Sequence, residues 1–268
     1  MLPDSLFWYG LALKVTMTAT IVVVASVAAE RSGPFVAALI AALPTAASAT
    51  YIILALEHPP DFIAAGTVGS MAATNAAVAI FALSYSALAQ RHGIVLSIAA
   101  ASLVWFAAVA GLRLVDWTPA TALVLNALVF AFTIPLSARY RAGAVARESF
   151  RRTGYDLPLR AAAVAVVVAA VTTASHWIGP FASGTFAVFP IVMGSFAVIM
   201  HSRAGGKATG AVFGHAQSAL VGLCFGFLGV HYLVEPIGVW WSLAAGLAIT
   251  VTWSAALWLL RRARLRIA

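Results

Sequence analysis

Long apolar stretches with no acidic residue in their interiors constrain this chain more than any other feature. Short polar marks separate them: ERSG at 30–33, EHPPD at 57–61, QRHG at 90–93, VDW at 115–117 and a basic segment from 138 to 160. Then come SHWIGP at 175–180, HSRAGGK at 201–207, VEP at 234–236 and the tail RRARLRIA. About 20 apolar residues cross ~30 Å of hydrocarbon as a helix. The spacing predicts nine spans, near 6–29, 34–56, 62–89, 94–114, 119–138, 159–176, 180–200, 207–232 and 237–260. With 63% apolar and 9% charged residues, against about 25% charged in soluble domains, a soluble globule and a disordered chain are excluded. One cysteine, Cys224, excludes an intrachain disulfide scaffold. The opening MLPDSLFWYG carries Asp4 and no basic segment, so it is expected to lead into a true first span at Leu6 rather than to be a signal peptide.

The sign of the charges sets the expected topology. With the N-terminus outside and the C-terminus inside, 14 of the 16 basic residues fall inside, all but Lys14 and Arg113. Asp4, Glu57, Asp61, Asp116 and Glu235 fall outside, and only Glu30, Glu148 and Asp156 lie among the arginines. Resolved by side, the net charge of +8 becomes +11 inside, −5 outside and +2 from Lys14 and Arg113. The basic pI near 10.4 is thus mostly topology, and a nucleic-acid partner is not expected. Trp8, Trp117, Trp177, Trp240 and Trp241 sit near the outer boundary, as an interfacial belt would. The chain is expected in a cell membrane of the bacterial inner-membrane kind. The basic segment 138–160 reads either as a topology determinant or as a surface for anionic lipid or a partner.

The two halves resemble each other. GPFVAALIAALP at 33–44 aligns with GPFASGTFAVFP at 179–190, sharing Gly33/Gly179, Pro34/Pro180, Phe35/Phe181, Ala41/Ala187 and Pro44/Pro190. The next spans match at an offset of 145, which places Ser70 opposite His215. Small residues recur at every fourth position: Gly206, Gly210, Gly214, Ser218, Gly222 and Gly226 in one half, Ala65, Gly69, Ala73 and Ala77 in the other. Such a stripe makes a groove that another helix can approach closely. The second and seventh spans run in opposite directions, so the repeats are inverted. The expected layout is a first repeat at 1–117, a linker span with its basic loop at 118–158, and a second repeat at 159–268.

The stretch IAALPTAASATYIILALEHPPDFIAAGTVGSMAATNAAVAIFALSY, with Leu43, Pro44, Thr45, Tyr51 and Ile52, resembles the GlpM-like small four-span membrane proteins. The likeness covers roughly residues 8–114. It implies a half-size ancestor that paired antiparallel before fusion; it implies no substrate. A homodimer is also open.

Pro44 and Pro190 lie about ten residues into their spans, near the midplane. An interior proline removes a backbone hydrogen bond, and the two are read as hinges that kink or break their helices. If they break them, the half-helix ends at Thr45–Ser48 and Ile191–Ser195 point partial positive charge inward. Pro135, near the inner end of its span, reads as a plain kink. Polar residues at depth are Lys14, Asn75, Asn126, His215 and Gln217. Lys14 either snorkels to the interface or faces a cavity. His215 reads as a proton-linked switch or a packing histidine, and the asparagines as site residues or as interhelical glue. Arg113 reads as a snorkelling residue or one that steers anions. The candidate solute-binding residues are Lys14, Thr45, Ser48, Asn75, Asn126, Ser195, His215 and Gln217, and Gly69, Gly210, Gly214, Ser218 and Gly222 are packing residues.

Midplane carboxylates, common in cation carriers, are absent, so an anion or a polar neutral molecule is the expected cargo. No HExxH, GxSxG, aspartate-rich or cysteine-cluster motif appears, so neither an enzyme, a metal nor a cofactor is expected. His201 and His215, 14 residues apart, are too distant along one helix to share an ion. The leading expectation is an inverted-repeat secondary transporter of a small anionic or polar organic solute. The others are a non-transporting subunit of lipid or envelope-polysaccharide assembly, and a lipid flippase.

Overall fold

The computed structural model describes residues 45–141 and 155–267, with Ala12, Thr16, Ala19, Thr20 and Val24 on a helix before them. Lys14, Pro44, the first-half partners Gly33 and Pro34, and the middle of the basic segment lie outside the described residues. Among those described, the chain is helical and has no strand. The helices are α1 (Thr45–Glu57), α2 (Pro60–Gly69), α3 (Ala76–Leu88), α4 (Ile94–Leu112) and α5 (Pro119–Ala138). Then follow α6 (Asp156–Ala187), α7 (Ile191–Ile237) and α8 (Val239–Ile267). Among the described residues, four stretches are long and apolar enough to cross a membrane: Ile94–Leu112, Pro119–Ala138, Ala161–Ile237 and Val239–Ala263.

Local chemistry marks the helix ends. Pro60 opens α2, where a missing N–H costs nothing. Thr118 and Thr121 cap α5 reciprocally. Pro135 sits inside α5 without interrupting it.

Three glycines turn the long stretches back on themselves. Gly179, Gly205 and Gly238 have φ of 75°, 81° and 80°, a region that side chains with a Cβ disfavour. Phe196 and Phe213 show what Gly205 does: their rings lie 6.3 Å apart, whereas 17 residues of straight helix span about 25 Å. At Gly179 the return brings Ile191 and Val192 against the cluster that holds Val164 and Val168. At Gly238 it lays Trp253 on α7, its indole N–H donating to the Ser218 carbonyl at 2.8 Å. Helical segments 156–178, 180–187, 191–204 and 206–237 result.

The core is the joint between α2, α3 and the segment 206–237, with Tyr85, Phe81, Phe213 and Gln217 fully enclosed. α4, α5 and α8 turn much of their surface outward, including Leu103, Phe132 and Trp241. In a soluble protein so much exposed apolar surface would promote aggregation; against lipid it is a solvent-matched face.

Glycines set the closest approaches. A Cβ at Gly184 would collide with the Gly66 carbonyl, and one at Gly69 with that of Phe181. The four-residue stripe does not form a single groove. Gly206 and Gly210 meet Ala89, Ser86 and Gln90 near the end of α3, Gly214 meets Ser137 and Arg141 at the end of α5, and Gly222 and Gly226 meet Trp253 and Gly246 of α8. A period of four overruns the 3.6-residue turn by about 40° each step, so the stripe winds around its helix and serves three partners in succession.

Gly184→Ala is expected to cost about 1–3 kcal/mol through overpacking. Thermal unfolding in detergent should show a lowered midpoint. Gly194→Ala, whose added methyl meets nothing within 4 Å, should leave the midpoint unchanged.

Candidate functional site

The continuous rod from α2 to α3 lies antiparallel to segment 206–237. His231 meets the Ala64 carbonyl at 2.9 Å near one end, and the Ser86 hydroxyl donates to the Gly210 carbonyl at 3.1 Å near the other. Midway, the rod loosens into a π-helical stretch, Ser70–Asn75. Such a stretch weakens the regular backbone ladder, and side chains fill the gap. The Asn126 amide, from α5, donates to the Met71 carbonyl at 2.7 Å and to its own Ala122 carbonyl at 2.9 Å. The Asn75 amide donates to Asn126 Oδ1 and to the Leu220 carbonyl, both at 3.0 Å. Gln217 donates to the Ala79 carbonyl at 2.8 Å. Asn75 and Gln217 are fully buried and Asn126 nearly so. Asn75 Oδ1 and Gln217 Oε1 are buried acceptors with no partner among the described residues.

Pro190 stands in a true interruption. α6 ends at Ala187, and α7 begins at Ile191. One carbonyl near the break, that of Gly184, accepts from Ser70 Oγ at 2.7 Å. Ser70 has one proton and gives it there, so the contact of 2.7 Å between Ser70 and Tyr51 must have Tyr51 as donor. The relay runs Tyr51 O–H to Ser70 O–H to Gly184 C=O, and it ties α1 to the helix that breaks.

Tyr51 also lines a cavity of about 300 Å³ between α1, α2, α7 and α8. Its wall is apolar, with Leu223 and Phe227 prominent, and Ser48, Tyr51, Thr67 and Thr250 are the hydroxyl-bearing residues among its lining. No charged side chain lines it.

The other expected site residues are scattered. Thr45 opens α1. Ser195 folds its hydroxyl back onto the Val192 carbonyl at 3.0 Å. His215 is half-buried, within electrostatic range of Arg141 and Arg261. Arg141 anchors the end of α5, donating to the Gly214 carbonyl at 3.0 Å and the Ile134 carbonyl at 3.1 Å. Burial lowers its pKa from the ordinary arginine range. His201 and His215 are not on one helix, because Gly205 turns the chain between them; His201 instead meets the Tyr85 hydroxyl at 2.8 Å. Among the described residues of the expected set, only Asn75 and Asn126 bond each other directly, and only Ser48 lines the cavity.

Comparison with protein-family models, with curated proteins and with solved structures finds no match. Function must therefore be argued from the residues.

Sequence reasoning did not assign roles to Tyr51, Ser70, Thr67 or Thr250. It also passed over Glu57, His58 and His176, whose ligand atoms all lie within 4.8 Å of one another. The signal for these three was present, because EHPPD and SHWIGP fall on one side in the charge partition.

Asn126→Leu strands both Asn75 and the Met71 carbonyl, and should cost about 1–2 kcal/mol. The Asn75→Leu/Asn126→Leu double variant should cost less than the two singles together. A double-mutant cycle on unfolding midpoints should read a coupling of about 0.6 kcal/mol or more.

Proposed function

We propose that this chain is a multi-pass carrier in a cell membrane of the bacterial inner-membrane kind, moving a small organic solute with an apolar body and a hydrogen-bonding or anionic head. In this reading it has nine spans, N-terminus out and C-terminus in, built from two inverted repeats that descend from a GlpM-like half. The observation that carries the proposal is the relay from Tyr51 through Ser70 to Gly184. It links the wall of an apolar cavity to a helix interrupted at Val188–Pro190. Interrupted helices beside a site at the repeat interface are a recurring carrier arrangement.

Two further observations support the inverted repeat. Antiparallel helices related by an in-plane two-fold touch their own equivalents only on the axis. The 145-residue offset equates Asn75 with Leu220, and these two are hydrogen-bonded. To either side, the offset exchanges the pair Ala64/His231 for the pair Ser86/Gly210 to within one residue. Asn126, from the linker span, binds at that same point. The alternation of ends supports the topology: His58 joins Ser175 at one end, while Ala89 meets Gly206 and Arg141 meets Gly214 at the other.

The solute class follows from the lining. Four hydroxyl-bearing side chains in an apolar chamber suit a molecule with one polar end. Anionic preference would come from Lys14. The basic segment 138–160 would meet anionic lipid. Lipid itself is the second reading, because Trp240 and Leu247 line the cavity and are also exposed on the outer surface.

Topology is tested in a Cys224→Ser background, where the native thiol, buried in any case, is gone. An impermeant maleimide should label Asp61→Cys in intact cells, and Arg262→Cys only after permeabilisation. Medium-chain acids and alcohols should raise the unfolding midpoint of the purified chain, and Thr250→Leu should abolish the shift by filling the cavity. Tyr51→Phe should retain the shift yet lower flux into proteoliposomes tenfold or more. A shift that survives Thr250→Leu, or no shift at all with a stoichiometric protein partner co-purifying, would overturn the carrier reading in favour of the non-transporting subunit. Scrambling of a fluorescent lipid, lost in Thr250→Leu, would select lipid as the cargo.

A further inference from the structure

Glu57 and His58 close α1, and His176 lies 118 positions beyond His58, three residues before the turn at Gly179. The fold brings one ligand atom from each to within 4.8 Å of the others. The histidine rings are 4.5 Å apart, centroid to centroid, at 42°. Two imidazoles and a carboxylate from two separate elements are the donor set of a borderline divalent metal, zinc foremost.

His58 is prepared for that role. Its ring lies flat on Phe62, 3.8 Å away and within 7° of parallel, so its plane is fixed. Its Nε2 meets Ser175 Oγ at 2.8 Å. The Ser175 hydroxyl spends its one proton on the Thr172 carbonyl at 2.7 Å, so toward His58 it can only accept. The proton of neutral His58 is therefore on Nε2, and the lone pair is on Nδ1. A ligating histidine ordinarily donates its other N–H to an acceptor that fixes tautomer and orientation, and Ser175 is such an acceptor. A tetrahedral zinc with bonds of ~2.1 Å sets its ligands about 3.4 Å apart. Glu57 and His176 are exposed, so an ion reaches the cluster from outside.

We propose that Glu57, His58 and His176 form a binding site for a zinc-class divalent ion. The ion clips the corner between α1 and α2 to the end of segment 156–178. Three protein ligands leave at least one position for water, on the exposed side of the cluster. The site stands apart from the carrier reading, because it requires neither the cavity nor the interrupted helix.

The test uses the full chain in detergent, with Zn²⁺ titrated against a chromogenic chelator and Co²⁺ as a spectroscopic probe. The expected result is one Zn²⁺ per chain, a raised unfolding midpoint, and a Co²⁺ d–d band. His176→Ala, at an exposed position, should weaken binding ten- to hundredfold and remove the Co²⁺ band without changing the elution profile. Glu57→Gln should weaken binding in the same direction, and His92→Ala should leave it unaltered. If His58→Ala and His176→Ala both bind Zn²⁺ as the parent chain does, or if the parent chain binds none, the proposal is overturned.

Discussion

A backbone carbonyl that leaves its helix inside a membrane has no water to turn to. The rest of this structure depends on that constraint. A regular helix satisfies itself, so irregularity is admissible only where a side chain or a cavity takes over. Here two of the described irregularities have attendants. Asn126 serves the carbonyl of Met71 within the π-helical stretch, and Ser70 serves that of Gly184 ahead of Pro190. Asn126 and Ser70 are thus occupied in holding a distorted backbone inside an apolar medium.

The same logic explains where the polar residues gather. Asn75 reaches from the irregular stretch to Leu220 across the antiparallel joint, and α5 delivers Asn126 to the same point. The joint is thus a three-helix meeting with amides at its centre and aromatic packing to one side, where Phe81, Tyr85 and Phe213 crowd together. Asn75 Oδ1 and Gln217 Oε1, buried without a partner among the described residues, are costly in such a medium.

The all-helical, apolar character of the fold was legible in the sequence, because long apolar runs can be read without tertiary knowledge. Pro190 was legible for the same reason, since proline carries its own structural instruction. The site was far less legible. Ser48 was found because it follows Pro44 closely, but Thr250 and Thr67 were not: their hydroxyls bond back to their own turns at Gly246 and Ala64, as those of Thr172 and Thr50 do, and the sequence does not tell such residues apart from those on a cavity wall. The glycine stripe was misread as one groove because a linear repeat conceals its rotation. His58 and His176 were missed because their spacing along the chain carries no helical period; only the folded corners bring them together.

The crossing between Gly66 and Gly184 has a mechanical meaning. Most helix contacts interlock through side chains, and any rotation must exchange one set of rotamers for another. At this crossing backbone rests on backbone, and a Cβ on Gly184 would collide at once. With nothing interposed, nothing has to be re-seated when one segment turns against the other. Gly66 and Gly184 make a bearing rather than a cog, placed beside the break between α6 and α7.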